Sequence, residues 1–398
     1  MTELLDLVNM EGELAPEILP ADIRLSIQGS VQEFLSALNG AVDIIPAKEV
    51  IPNTSAVEIT ADDSFGSSVT VTSTDAFRTF EKSVNSLEVR AAGKALLPGK
   101  RLRAIMRLAP EETFRLDVTN EGASIRSGRV VWQVPVISGK GLPGGPDTAN
   151  IALREFNVAD FVSALSLTLS ATAKFTARMS LTQLSLVKGV LTGCDGTRVH
   201  RILVSKKSEL ETTLPYNFAE TLLAELRSTS AEKFYLGASD KTVVAQIGKV
   251  ALTGQRLTLP YPNVDHLLLE PAMLNTDSLT LPTRVLSEAV KHVRISADPD
   301  LAAVSLTVRK LKGSWVVLVQ AVDKTGNASQ EVISDIEFTG DSPREEHLNF
   351  KYLLEFLECV SSEKVVFKLG ATSKTKISPL YVKTGRFEGV IQPMVVYT

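Results

Sequence analysis

Two cysteines, Cys194 and Cys359, are all that 398 residues contain. That is too few for a disulfide framework and fits a reducing compartment. No uninterrupted apolar run is long enough to cross a bilayer. The segment Met1 to Pro20 lacks the basic region of a signal peptide, so a cytoplasmic protein with no membrane partner is expected. Four histidines, His200, His266, His292 and His347, show no metal-ligand spacing with one another or with the cysteines. No Walker loop, Gly-x-Gly-x-x-Gly or nucleophile elbow occurs. The expectation is a protein that is not an enzyme and needs no metal or cofactor. Positive charge is not in excess either: 42 Lys and Arg face 46 Asp and Glu, a formal net charge of −4. A chain that grips nucleic acid through one basic face usually has a high pI. Any such face here must be local and balanced by acid elsewhere.

What is present describes a globular chain of two or three domains, 44% hydrophobic and 22% charged. Residues 1–23 read as a flexible acidic tail, with Glu3, Asp6, Glu11, Glu13, Glu17 and Asp22, and with Pro16 and Pro20 against any long helix. The rest repeats. Phe34-Leu35-Ser36-Ala37-Leu38 recurs as Phe161-Val162-Ser163-Ala164-Leu165 and, more weakly, as Val285-Leu286-Ser287-Glu288-Ala289. Each copy is helix-like and follows a short strand-like segment. A second helix-like stretch recurs after Pro98, Pro215 and Asn349, with an apolar residue two turns on. Val69–Thr72, Thr113–Val118, Val243–Ile247 and Ala303–Val308 are rich in β-branched residues and read as strands. The period is that of a whole domain, too long for a solenoid unit. The fold class is α+β, with three tandem domains at 24–148, 149–274 and 275–398. The Gly/Pro-rich stretch Gly139–Pro146 marks the first seam, and Glu270 to Thr276 the second.

Two stretches far apart in sequence carry the functional signal. Cys194-Asp195-Gly196-Thr197-Arg198-Val199 contains an Asp-Gly turn, and Val390-Ile391-Gln392-Pro393-Met394-Val395-Val396 is an apolar segment closing a β-rich region. On the threefold repeat, they resemble the two halves of the peptide pocket of bacterial sliding clamps, the β subunit of DNA polymerase III. Tyr261-Pro262-Asn263 resembles that family's Phe-Pro-Asp turn. The resemblance covers essentially everything after the tail. It implies clamp domains with two helices each, packed on antiparallel sheets, the chain forming half of a six-domain ring.

It further implies a partner-peptide pocket made of Leu181, Cys194, Gly196, Thr197, Arg198, Val199, Pro262, His266, Leu267, Pro379, Val390, Gln392, Pro393, Met394, Val395 and Val396. Cys194, Thr197 and His266 depart from the family's usual residues. Lys48, Lys100, Lys174, Arg178 and Arg294 are the implied contacts to encircled double-stranded DNA. Trp132 and Val134 would meet Ile295 of a second copy in a homodimer. A replicative DNA polymerase, a clamp loader and other proteins with clamp-binding motifs are the implied partners, and processivity the implied function. Two alternatives stay open: an α+β repeat protein that binds peptides or proteins without encircling DNA, and, more weakly, a small-molecule enzyme using Cys194.

Overall fold

The computed structural model describes residues 23–64, 66–139, 141–206, 208–370 and 378–394. The acidic tail through residue 22, and Val395 and Val396 of the expected pocket, lie outside the described residues. The chain packs as two compact units that divide between Gly144 and Gly145, inside the Gly/Pro-rich stretch; the short segment Phe77–Thr79 clusters with the second unit.

The first unit carries two sheets and two helices. One sheet runs Glu88–Ala91, Leu25–Ser30, Thr113–Val118, Ala123–Ser127, Val130–Val134. The second contains Gly93–Pro98, Ala56–Asp62 and Ser68–Thr74 as antiparallel neighbours. Helix α1 (Val31–Asp43) begins at Ser30, whose hydroxyl accepts from Glu33 N. Helix α2 (Gly99–Leu108) starts directly after Pro98, whose fixed φ suits entry into a helix. Phe34, Leu38, Leu102 and Met106 are fully buried, at the i, i+4 spacing of one helical face.

The second unit repeats this plan twice. Helix α3 (Val158–Ser170) is capped by Asn157 through Asp160 N (3.0 Å), and α4 (Tyr216–Ser228) follows Pro215. Helix α5 (Asp265–Leu274) comes next; α6 (Thr283–Val293) then follows Pro282, and α7 (Phe350–Cys359) is capped by Asn349. A nine-stranded sheet runs Thr212–Pro215, Gln183–Val187, Val190–Cys194, Arg198–Leu203, Phe387–Ile391, Leu380–Thr384, Lys364–Leu369, Asp277–Pro282, Glu337–Phe338. Ala328–Ile333, Ser314–Val322, Ala303–Leu311 and Arg344–Asn349 form a four-stranded sheet. The strands expected from β-branched patterning all occur.

The second expected seam is different. Most of it is α5, despite Pro271 inside the helix. Val264, Leu268 and Ala272 recur every fourth residue and pack into one apolar cluster, so tertiary burial outweighs the local proline penalty. Asn275 N donates to Pro271 O and ends the helix.

One close approach fixes how α3 meets the sheet. A Cβ on Gly193 would lie 2.2 Å from the carbonyl oxygen of Thr168. Gly193→Ala should therefore destabilise the protein by about 1–3 kcal/mol through overpacking. Urea unfolding checks this, and an unchanged midpoint would mean that α3 can retreat without cost.

Candidate functional site

The turn at Asp195-Gly196 is built by its own side chains. Asp195 Oδ1 accepts from Thr197 N (2.9 Å), Thr197 Oγ1 (2.7 Å) and Arg198 N (3.0 Å). Gly196 takes φ = 96°, a region L side chains avoid. The chain then re-enters the sheet as Arg198–Leu203. There it pairs antiparallel with Phe387–Ile391: Arg198 faces Ile391 and Val199 faces Val390. Gln392 N donates to Thr197 O (2.9 Å), and Met394 N to His347 O (2.7 Å), tying down the residues that follow. The two stretches singled out in the sequence are thus neighbours.

Their meeting point is apolar. Leu181, Cys194, Val199, Val264, Leu268, Tyr381 and Val390 form one buried cluster, with Ala173, Tyr261 and Ala272 packed against it. Leu181 arrives on a short 3-10 turn, Met179–Leu181. Gly196 lies beside it: a Cβ there would come 3.8 Å from Leu181 Cδ1. Burial pushes the Cys194 thiol up, so it serves as a small apolar wall. Tyr381, pushed up to about 12 by burial and by Glu388, lies opposite Val390 in the sheet.

Thr197 and Gln392 are exposed beside the cluster, Pro393 is buried, and Pro262 and Met394 are half-buried. Pro379 is half-buried as well, its carbonyl accepting from Asn275 Nδ2 (2.9 Å). The helix phase sets the neighbouring residues apart. Leu268, 1% exposed, is the leucine in the cluster, whereas Leu267 is 37% exposed and His266 is exposed beside it. Leu268 follows Val264 by four residues and so shares its face; Leu267 does not. Sequence reasoning missed Val264, Leu268 and Tyr381. The i, i+4, i+8 series from Val264 was the available signal for the first two.

Arg198 is turned inward. Only 5% exposed, it donates through Nε to Asp195 Oδ2 (2.9 Å) and through Nη2 to Ser170 O, pairs with Glu355 (2.7 Å), and lies 4.0 Å over the Tyr352 ring. It fastens the turn to α3 and α7.

Comparison with known proteins now bears on this geometry. Residues 25–145 match the family model of the DNA polymerase III beta subunit, N-terminal domain. The chain is similar in structure to the DnaN sliding clamp of Bartonella birtlesii bound to griselimycin (TM-score 0.83, 19% identity, 94% of this chain and 100% of that one). It is also similar to the Caulobacter crescentus beta sliding clamp (0.82, 17%, 94% and 100%) and to the DNA polymerase III subunit beta of Pseudomonas aeruginosa (0.80, 17%, 93% and 100%). The chain has the bacterial sliding-clamp fold. The match over residues 25–145 and the fold agree with the resemblance to bacterial sliding clamps. No curated protein matches the sequence.

On the clamp fold, the basic residues are exposed but partly engaged. In the first unit Lys48 lies in the loop after α1, and Lys100 Nζ donates to Pro46 O (2.9 Å) in the same loop. Further along α2, Arg103 pairs with Asp43, and Arg107 donates to Asn39 Oδ1 (3.2 Å). In the second unit Lys174 pairs with Glu220 (3.1 Å) and lies 5.2 Å from the Tyr216 ring centroid. Arg178 and Arg294 are exposed. Of the expected joint residues, Trp132 is half-buried and Ile295 is 88% exposed.

Val134 corrects an expectation. It is 2% exposed, packed in the core of its own unit. Val130, Trp132 and Val134 share one face of the edge strand, and that face is covered progressively towards Val134. The exposed apolar residues of this edge are Val130 and Val131.

Among the described residues there is no group of His, Cys, Asp and Glu suited to a metal ion, and no helix long and apolar enough to cross a membrane.

Beneath the pocket strand lies His200, 1% exposed, its Nδ1–H donating to Leu167 O (2.7 Å). Burial, assisted by Arg198, lowers its pKa from 6.5 to about 4. The unfolded chain therefore takes up this proton first as pH falls. His200 contributes its full stability above pH 6.5 and loses roughly 3 kcal/mol of it towards pH 4. Glu346, raised by burial to about 7, acts in the opposite sense over much of that range. The measurement is thus a difference: stability against pH for the protein minus that for His200→Gln. A positive slope between pH 4 and 6.5 is expected, and a flat difference would refute it.

Proposed function

We propose that the chain is a DNA sliding clamp that confers processivity on a replicative DNA polymerase. The pairing of Arg198–Ile202 with Phe387–Ile391 carries this reading, because it joins distant segments into one apolar cluster with polar groups beside it, on a sliding-clamp fold. Such a cluster suits short partner peptides with apolar anchors. In this reading the three domains are 24–148, 149–274 and 275–398. Two chains meet head to tail, the edge strand Val130–Val134 presenting Val130, Val131 and Trp132 to Ile295 of the second copy. An unpaired edge of this kind calls for a partner.

The clamp performs no catalysis and uses no cofactor. The closed ring holds duplex DNA topologically, so contacts from Lys48, Lys100, Lys174, Arg178 and Arg294 need only be weak and blind to sequence. A tethered polymerase then stays at high effective concentration. Opening the ring falls to a clamp-loader ATPase in the cytoplasm.

Protein loaded on a nicked circle should stay bound and escape once the circle is cut. Equal retention on linear DNA with free ends would instead favour a repeat protein that binds peptides without encircling DNA. The pocket has its own check. Deleting Pro393 to Thr398 should weaken a Gln-Leu-x-Leu-Phe peptide at least tenfold while assembly is retained; unchanged affinity would place the peptide elsewhere.

A further inference from the structure

Two equivalent hairpins of the second unit differ in length. Each follows a helix and a 3-10 turn. α3 and Met179–Leu181 lead to Gln183–Val187 and Val190–Cys194; α6 and Arg294–Ser296 lead to Ala303–Leu311 and Ser314–Val322. Both reverse at a Lys-Gly pair with positive φ: Lys188 at 50° and Gly189 at 72°, Lys312 at 51° and Gly313 at 88°. Such a two-residue turn matches the twist of its strands. The strands of the first hairpin are five residues long and those of the second nine. The later hairpin thus ends in an arm that its counterpart lacks.

The core does not account for this arm. Arg309 to Ser314 are all exposed, Leu311 by 46%. Arg309, Lys310 and Lys312 fall within four residues, and none forms an ion pair among the described residues. The acids of the adjoining segments are engaged elsewhere. Glu345, opposite Thr307, lies 3.6 Å from His347; Glu337 pairs with Lys364 (3.0 Å), and Asp335 also acts on Lys364. Uncompensated like charges repel, so folding alone gives no reason for them.

The arm is nonetheless well braced. Lys310 faces Trp315 across the ladder, its ammonium 5.0 Å from the ring centroid, and Trp315 packs T-shaped against Phe338 (4.9 Å). The pleat puts Arg309 and Leu311 on one face, about 7 Å apart, and Lys312 follows in the turn. Cations flanking an exposed leucine fit an acidic peptide that has an apolar residue beside its carboxylates. A nucleic-acid backbone would satisfy the cations but leave Leu311 unused, and Lys310 already lies over the Trp315 ring on which a base would stack.

We propose that this arm docks an acidic peptide segment of a partner protein, with Arg309 and Lys312 holding carboxylates and Leu311 an apolar side chain between them. Nothing in this site depends on encircled DNA or on the peptide pocket, so its failure would leave the clamp reading intact.

Fluorescence anisotropy of the full chain with labelled hexapeptides tests it. Acetyl-Glu-Leu-Glu-Glu-Leu-Glu-amide should bind at least about tenfold more tightly than the counterpart with Gln for Glu, the margin of charge-assisted contacts. It should bind several-fold more tightly than the counterpart with Ala for Leu. The double variant Arg309→Glu, Lys312→Glu should remove the first margin, and Leu311→Ser the second alone. These positions are exposed, so the melting temperature should not move. Lys188→Glu, in the short hairpin, is the charge control and should leave the affinity unchanged. Equal binding of the Glu and Gln peptides, absence of binding by both, or indifference to the double variant would overturn the proposal. So would an equal loss in Lys188→Glu, or displacement by the Gln-Leu-x-Leu-Phe pocket peptide. A short DNA duplex held through Arg309 and Lys312, and not displaced by the Glu peptide, would also overturn it and assign the arm to nucleic acid.

Discussion

The pairing of Arg198–Ile202 with Phe387–Ile391 is the constraint on which the second unit depends. It joins strands from distant parts of the chain and so carries a large loop-closure entropy, to be offset by ladder hydrogen bonds and buried area. Its geometry leaves little freedom. A Cβ on Gly389 would come 2.7 Å from Val199 O, so the strands approach this closely only with glycine there. Once they pair, the alternation of the pleat brings Val199, Val390 and Tyr381 together, and Leu181, Val264 and Leu268 close over them. A register slip of one residue would turn Val199 and Val390 away from the cluster.

Arg198 shows how the junction is kept in one arrangement. Burying a guanidinium costs several kcal/mol unless its donors are met. Here Asp195 and Ser170 O accept from it, Glu355 pairs with its charge, and Tyr352 stacks on its face. These partners come from the turn itself, from α3 and from α7, so the charge is satisfied only when all three are in place. A hydrophobic residue of equal volume would fill the space without that requirement. The arrangement thus ties the turn to one geometry.

Much of this was legible in the sequence because it rests on local rules. The helix pairs follow a cap or a proline at fixed places in the repeat: Ser30, Asn157 and Asn349 as caps, Pro98, Pro215 and Pro282 at entry. The turn at Asp195-Gly196 follows from residue chemistry alone, and the resemblance supplied its distant partner. What was missed depends on packing. Pro271 argued against α5, and only burial of Val264, Leu268 and Ala272 overrules it. The inward course of Arg198 is set by α7, far away in sequence. Val134 has the pattern of an exposed edge, yet its end of the strand is covered.

Charge placement bears on the proposed mode of action. Arg103, Lys174, Arg284 and Lys291 each hold an acid, Asp43, Glu220, Glu288 and Glu358 respectively. A phosphate that reaches such a cation must first displace a carboxylate, so each contact gains little net free energy. A protein that depended on affinity to stay on DNA would be weakened by this. A ring is held by closure, and low affinity inside it lets the DNA slip past. In the proposed ring, Lys48, Arg178 and Arg294, exposed in loops or at a helix end, would be left to orient the duplex while the paired cations bind it only weakly. The net charge of −4 is consistent with that division, since it discourages non-specific adsorption of nucleic acid elsewhere on the protein.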